Sequence, residues 1–282
     1  MISYDFEYYR PATVQEAVQL HRSLREQNKQ PVYYTGGTEI TTLGRINEIV
    51  TGAVIDLKGI PECQALQTAD NQLVMGAALS FSRLIEANPF PLLSLTIREV
   101  ADHTARSNIT LGGNVCGNII YREAVLPLLL TDSQVMVAGE SGMKPLSIHQ
   151  VFRQQVQLRQ GEFLVQFKTT QSDLGLPYAS VKKRRQGRVG YPLITVAAIK
   201  KDRRIRMAVS GLCSYPFRDQ AMEDRLNDKQ LPGQERIEQA VRHIPSPVLH
   251  DFEGSAEYRL FAFKNTLLDI CAALEGDEHA EV

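Results

Sequence analysis

The sequence predicts an α+β protein of two domains, and three observations carry that reading. At 282 residues, 43% of them hydrophobic, the chain can fill two ordinary cores. Through residues 1–174 short β-rich runs alternate with helix-period stretches, as an α/β or α+β domain requires. A turn-rich segment, Ser172 to Pro177, then separates them from a second group of strands and helices in 175–282.

A formal net charge of −1 supplies no general field for nucleic acid or an anionic membrane, so neither is expected as a partner. Any phosphate site must be local. Cys63, Cys116, Cys213 and Cys271 stand far apart with no Cys-x-x-Cys pair, so no zinc or iron–sulfur site and no metal ligand is signalled. Four reduced thiols suit a cytoplasmic protein. Met1 to Phe6 lacks a secretory pattern, and no run is long enough for a membrane helix.

Along the chain, Thr13 and Glu16 form a capping box for a helix of about 15 residues over Val14, Ala17, Val18 and Leu24. Pro31 to Tyr34 is a short strand. Ala53 to Leu57 and Asn71 to Ala77 read as strands, with Asp56 turning into a loop. Ser80 caps a helix over Phe81 to Glu86, and Leu92 to Asp102 reads as another helix. Ala124 to Thr131 suits a buried helix. Gln134 to Ala138 and Gly161 to Phe167 are strands, the second alternating at period two. Tyr178 to Lys183, Leu193 to Lys200 and Ile205 to Leu212 build a second sheet. Leu226 to His243 and Ser255 to Leu274 are helical, and Glu275 to Val282 frays. The basic run Lys182 to Arg188 has no interleaved aromatic residues, which favours a solvated loop over a nucleic-acid patch.

Two glycine loops carry the chemistry. After the strand at Tyr34 comes Thr35-Gly36-Gly37-Thr38-Glu39-Ile40, and far downstream comes Thr110-Leu111-Gly112-Gly113-Asn114, continuing through Cys116 to Gly117 and Asn118. Glycine admits a ligand where a Cβ would collide, and successive N–H groups form an anion nest, so phosphate is the natural guest. Each loop alone reads first as a tight turn closed by polar side chains, and it is the pair that favours a ligand. Neither a Rossmann fingerprint nor a P-loop fits, since no Lys follows the glycines.

In order and spacing the pair resembles the two FAD-binding motifs in the flavoprotein (medium) subunit of molybdenum hydroxylases, the xanthine dehydrogenase and carbon monoxide dehydrogenase family. The resemblance spans essentially the whole chain. It implies a two-subdomain FAD-binding domain of the PCMH type, with subdomains of about 1–56 and 57–174. A smaller C-terminal flavoprotein domain, 175–282, would set an antiparallel sheet on helices.

The same resemblance places the FAD pyrophosphate at Tyr34, Thr35, Gly36, Gly37, Thr38, Glu39 and Ile40. The second loop would approach the flavin and ribityl chain with Ser107, Thr110, Gly112, Gly113, Asn114, Gly117 and Asn118, near Val100. Glu123 stands where the family usually has Asp, before Ala-Val-Leu-Pro rather than Asp-Leu-Pro-Pro, and would accept from a ribose or ribityl hydroxyl. Leu164 would pack on the ring system. Lys182 would place a cation at the flavin edge, with Lys183 its rival by one register step, and Lys183 to Pro192 would form a loop whose Tyr191 stacks on the ring or anchors the turn.

The implied activity is electron transfer. A molybdopterin-binding large subunit and a 2Fe–2S small subunit would reduce the FAD, which would pass electrons to NAD+ or another acceptor; no catalytic acid, base or nucleophile is expected here. Thr38-Glu39-Ile40 is shared with the xanthine dehydrogenase branch, and a place in purine catabolism is what that resemblance implies; the hydroxylated substrate itself is not written in this subunit. Two alternatives stay open: an assembly or maturation protein that keeps the fold without FAD, and a stand-alone FAD oxidase.

Overall fold

The computed structural model describes residues 2, 4–185 and 190–276. Gln186 to Val189, part of the expected flavin loop and of the basic run, and the terminus from Asp277 lie outside the described residues.

Strand β1 (Glu7–Tyr9) is followed by α1 (Val14–Glu26), β2 (Val32–Tyr34), α2 (Thr38–Arg45) and β3 (Ala53–Asp56). Thr13 caps α1 by accepting from Glu16 N at 3.1 Å, while the Glu16 carboxylate reaches past the expected position to Ala12 N at 2.7 Å. The three strands form a parallel sheet in the order β1-β3-β2. Ala17 and Leu24 of α1 join Ala53 and Ile55 in its core.

Next come β4 (Leu66–Ala69), β5 (Gln72–Gly76), α3 (Phe81–Ala87), α4 (Pro91–Ile97), α5 (His103–Asn108), α6 (Leu111–Cys116) and α7 (Val125–Leu130). The helix expected over Leu92 to Asp102 is shorter. Ala101 takes a left-handed φ of 49°, and Asp102 starts α5 by accepting from Ala105 N at 2.7 Å. The strands β6 (Gln134–Gly139) and β7 (Gly142–Ser147), the short helix α8 (Ile148–Val151) and β8 (Phe163–Thr170) complete this part. Five strands pair antiparallel in the order β4-β5-β8-β6-β7.

Strands β9 (Tyr178–Lys183), β10 (Ile194–Lys201), β11 (Arg204–Ser210) and β12 (Phe217–Arg218) form an antiparallel sheet. They precede α9 (Gln220–Leu226), α10 (Gly233–Ala240) and α11 (Ala256–Gly276). The single helix expected over Leu226 to His243 is broken because the Asn227 side chain leaves the helix to exchange hydrogen bonds with the backbone of Ile205, at 2.8 and 2.7 Å. In β10, Ile194, Val196 and Ala198 pack with Phe263, Leu267 and Ile270 of α11. The alternate residue Thr195 is equally buried and bonds Glu123, so both faces of this strand are covered.

Contacts divide the chain into two compact units. One comprises Met1–Ala87, Asp102–Gly117 and Asp132–Gln171, and holds the parallel and the five-stranded sheets. The other comprises Asn88–Ala101, Asn118–Thr131 and Ser172–Val282, and holds the four-stranded sheet with α4, α7 and α9 to α11. Among the described residues no helix is long and apolar enough to cross a membrane.

Candidate functional site

In the first unit the two glycine loops meet directly. Thr35 leaves β2 and its Oγ1 lies 2.7 Å from Oγ1 of Thr110, which also accepts from Gly113 N at 3.2 Å and so caps α6. The stretch expected as an open loop is therefore a short helix from Leu111 to Cys116. Its start is stitched to the chain after β5, with Leu111 N donating to Leu79 O and Gly112 N to Ala77 O.

This packing changes the reason for several glycines. A Cβ on Gly36 would lie 1.7 Å from the Asn108 carbonyl oxygen, and one on Gly112 would lie 2.7 Å from Ala77 Cβ. On Gly113 it would press on the Thr110 hydroxyl at 2.7 Å. At Gly36 and Gly112 the side left bare is filled by protein, so a Cβ there would part the packed segments, whereas Gly113 stays exposed. Gly37 is different. Its φ of 69° turns the chain into α2, and it caps that helix with no side-chain acceptor. Glu39 reaches across to Gly117, its Oε2 lying 3.1 Å from where a Cβ would be.

The other expected residues of this unit are also placed. Ser107, exposed on α5, bonds Ser82 Oγ at 3.2 Å; Asn114 is half-buried on α6; Leu164 is buried in β8. Tyr34 and Ile40 line a cavity of about 390 Å³ with Tyr4, Tyr8, Asp56 and Lys58.

Lys58 is the residue that sequence reasoning missed. Its Nζ donates to Thr35 O at 2.6 Å and to Asp56 Oδ1 at 2.8 Å, and stands 4.5 Å from the Tyr34 ring centroid. It thus anchors the first loop from behind. Burial of Asp56 works to raise its pKa, but hydrogen bonds from Lys58 and from the Tyr8 hydroxyl outweigh that and hold it below the usual carboxylate value. An Asp-Leu-Lys following a buried strand is the only local signal for this pair.

In the second unit Glu123 and Lys182 form a buried pair. Lys182 Nζ lies 2.7 Å from Glu123 Oε1, and their side chains are 7% and 3% exposed. The same Oε1 accepts the Thr195 hydroxyl at 2.8 Å. Thr195 stands directly opposite Lys182 in the β9–β10 ladder. The Lys182 ammonium is close enough to the carboxylate for an ion pair, yet among the described residues it makes no hydrogen bond of acceptable geometry. One register step on, Lys183 is more exposed and faces Asp269 of α11 at 3.9 Å. The two lysines therefore occupy opposite faces of the sheet.

Tyr191 is 54% exposed and stacks on the buried Tyr121 ring at 4.7 Å. Val100 is half-buried in the turn after α4, its N–H donating to Ile97 O, and Asn118 is exposed. Arg184 closes β9 against Glu99, at 2.7 Å to both the carboxylate and the carbonyl.

The sheets and the joined loop pair define a class, a two-unit α+β protein whose first unit brings two glycine loops together. Residues 4–169, more than half of the chain, match the model of the FAD binding domain in molybdopterin dehydrogenase. The chain belongs to that family: it is an oxidoreductase, and its cofactor is FAD. It is similar to caffeine dehydrogenase subunit beta of Pseudomonas sp. (strain CBB1), 26% identical over 78% of each chain. It is likewise 26% identical to the nicotine 6-hydroxylase medium subunit of Paenarthrobacter nicotinovorans, over 89% of this chain and 91% of that one. Its fold matches a chain in the structure of carbon monoxide dehydrogenase from Hydrogenophaga pseudoflava with a TM-score of 0.85, at 21% identity over 98% and 99% of the two chains. The protein is accordingly an FAD-binding subunit of the molybdenum hydroxylase type.

Proposed function

We propose that this chain is the electron-exit subunit of a cytoplasmic xanthine dehydrogenase-like complex. Electrons would arrive from a 2Fe–2S small subunit, after substrate hydroxylation on a molybdopterin-binding large subunit, and leave for NAD+ or another acceptor. The observation that carries the reading is the joined loop pair within a matched FAD-binding domain. Support for the partners comes from relatives named as beta or medium subunits. Thr38-Glu39-Ile40, as in the xanthine dehydrogenase branch, supports the likeness to that branch, while the substrate hydroxylated on the large subunit is not written in this chain.

Bound FAD supplies reversible two-electron acceptance coupled to one-electron exchange. The protein's own residues have simpler tasks. The start of α2, where Gly37 supplies no side-chain cap, offers the positive end of a helix dipole to the pyrophosphate. Thr35 and Thr110 fix that turn against the second loop, whose Gly113, Asn114 and Gly117 approach the ribityl chain. The cavity lined by Tyr34, Ile40 and Lys58 suits the adenine end in size and in its aromatic lining.

In the second unit Lys182 would hold the flavin edge, a reading supported by a buried ammonium that has no well-formed hydrogen bond among the described residues. Val100, Asn118 and Tyr191 of that unit are further candidates for flavin contact, and Tyr191 can exchange its stacking on Tyr121 for stacking on the ring. A Glu123 already engaged by Lys182 and Thr195 acts on the cofactor through Lys182.

The test is FAD content. The purified complex should be yellow and release one FAD per copy of this chain, and Gly113→Leu should lose most of it by prising Thr110 from Thr35. A colourless protein that cannot be reconstituted, or a Gly113→Leu variant with undiminished flavin, would refute the assignment.

A further inference from the structure

The Glu123–Lys182 pair is arranged in a way that its own stability does not explain. Desolvating two charges makes a buried ion pair roughly break even with apolar side chains, and it gains only when the remaining donors and acceptors are also satisfied. Here they are not. Lys182 Nζ sits 2.7 Å from Glu123 Oε1, but outside hydrogen-bonding geometry to it and to every other acceptor among the described residues. Its three N–H donors are therefore poorly used.

The carboxylate, by contrast, is held independently of the lysine. Thr195 donates to the same Oε1 at 2.8 Å, and Glu123 O accepts from Leu126 N at 3.1 Å as α7 begins. Because Thr195 and Lys182 are paired across the β9–β10 ladder, the hydroxyl, carboxylate and ammonium form one group on a rigid support. The two charges cancel at a distance where, out of water, each would otherwise project strongly.

We infer that Glu123 is a positioning residue that compensates the charge of Lys182 and thereby sets the reduction potential of the bound FAD. This rests on the reading above that Lys182 faces the flavin. Reduction adds negative charge to FAD, so an uncompensated ammonium would favour the reduced form and an uncompensated carboxylate would oppose it. With both present, the field at the cofactor is that of a dipole, and Lys182 keeps donors for a neutral oxygen or nitrogen.

Redox titration of flavin absorbance in the assembled complex tests this. Glu123→Gln should shift the oxidised-to-reduced equilibrium at least tenfold toward reduced FAD, about 30 mV upward for a two-electron couple. Lys182→Met should shift it at least tenfold the other way. The double variant should return to within about threefold of the parent, about 15 mV on the same scale. Glu123→Asp, which retains the charge, should stay near the parent value.

If Glu123→Gln does not fold, the step from Lys182→Met to the double variant still measures the carboxylate, and it must be upward. Potentials that remain unmoved, or single variants that move in the same direction, would show a purely structural pair and overturn the inference. Absence of FAD from the parent complex would overturn the functional reading beneath it, so the two failures are distinguishable.

Discussion

Asp56 shows how one residue serves a loop that it is not part of. It ends β3, caps the following turn by accepting from Lys58 N at 2.9 Å, and holds the ammonium that in turn binds Thr35 O. Its pKa is depressed in the folded protein, so its contribution is complete above the unfolded value of about 3.9 and is lost as pH falls below that, through the folded pKa. Asp56→Asn should cost about 1–3 kcal/mol at pH 7, since a charged hydrogen-bond partner is removed. In urea unfolding against pH, the gap between variant and parent should close below about pH 4. The same variant should weaken FAD retention. Thr35 and Thr110 were legible as loop residues, whereas Lys58 was not: a lysine after a strand is ordinary until the fold shows which carbonyl it reaches.

At the scale of elements, the seam between the loops depends on two backbones lying closer than a methyl group allows. Gly36→Ala places its Cβ against the Asn108 carbonyl, which is backbone and cannot swing aside. It should destabilise by about 1–3 kcal/mol, the usual cost of overpacking. Flavin loss and a lower melting temperature should appear together; a fully stable, FAD-loaded Gly36→Ala protein would show that the seam yields. Element identity was largely readable where periodicity was strong, as in α1 and β8. Boundaries failed where a side chain or a positive φ stopped a helix. Ala101 divides α4 from α5 although nothing in alanine announces a left-handed turn, and Asn227 ends α9 through a pairing with Ile205 in β11. The second loop was read as irregular because glycines disfavour helix, yet Thr110 as a cap and the bonds from Ala77 and Leu79 hold one short helix there.

For the whole molecule, FAD bound to the folded chain and not to the unfolded one must raise its stability. At free FAD a hundredfold above Kd the gain is about 2.7 kcal/mol. A thermal scan should show the transition rising with FAD concentration, and no rise under Gly113→Leu. The sequence by itself determined the class of fold and the positions of the two glycine loops, because strand and helix periods and turn-forming residues are local properties; the cofactor followed from the family that the loops resemble. The partition was decided by tertiary structure. Asn88–Ala101 and Asn118–Thr131 belong with the C-terminal sheet although they interrupt the first unit in sequence. Their buried faces find partners on β9 to β11, and hydrophobic burial is indifferent to chain order. For the same reason only the folded chain shows Glu123 opposed to Lys182, with Lys183 turned to the other face.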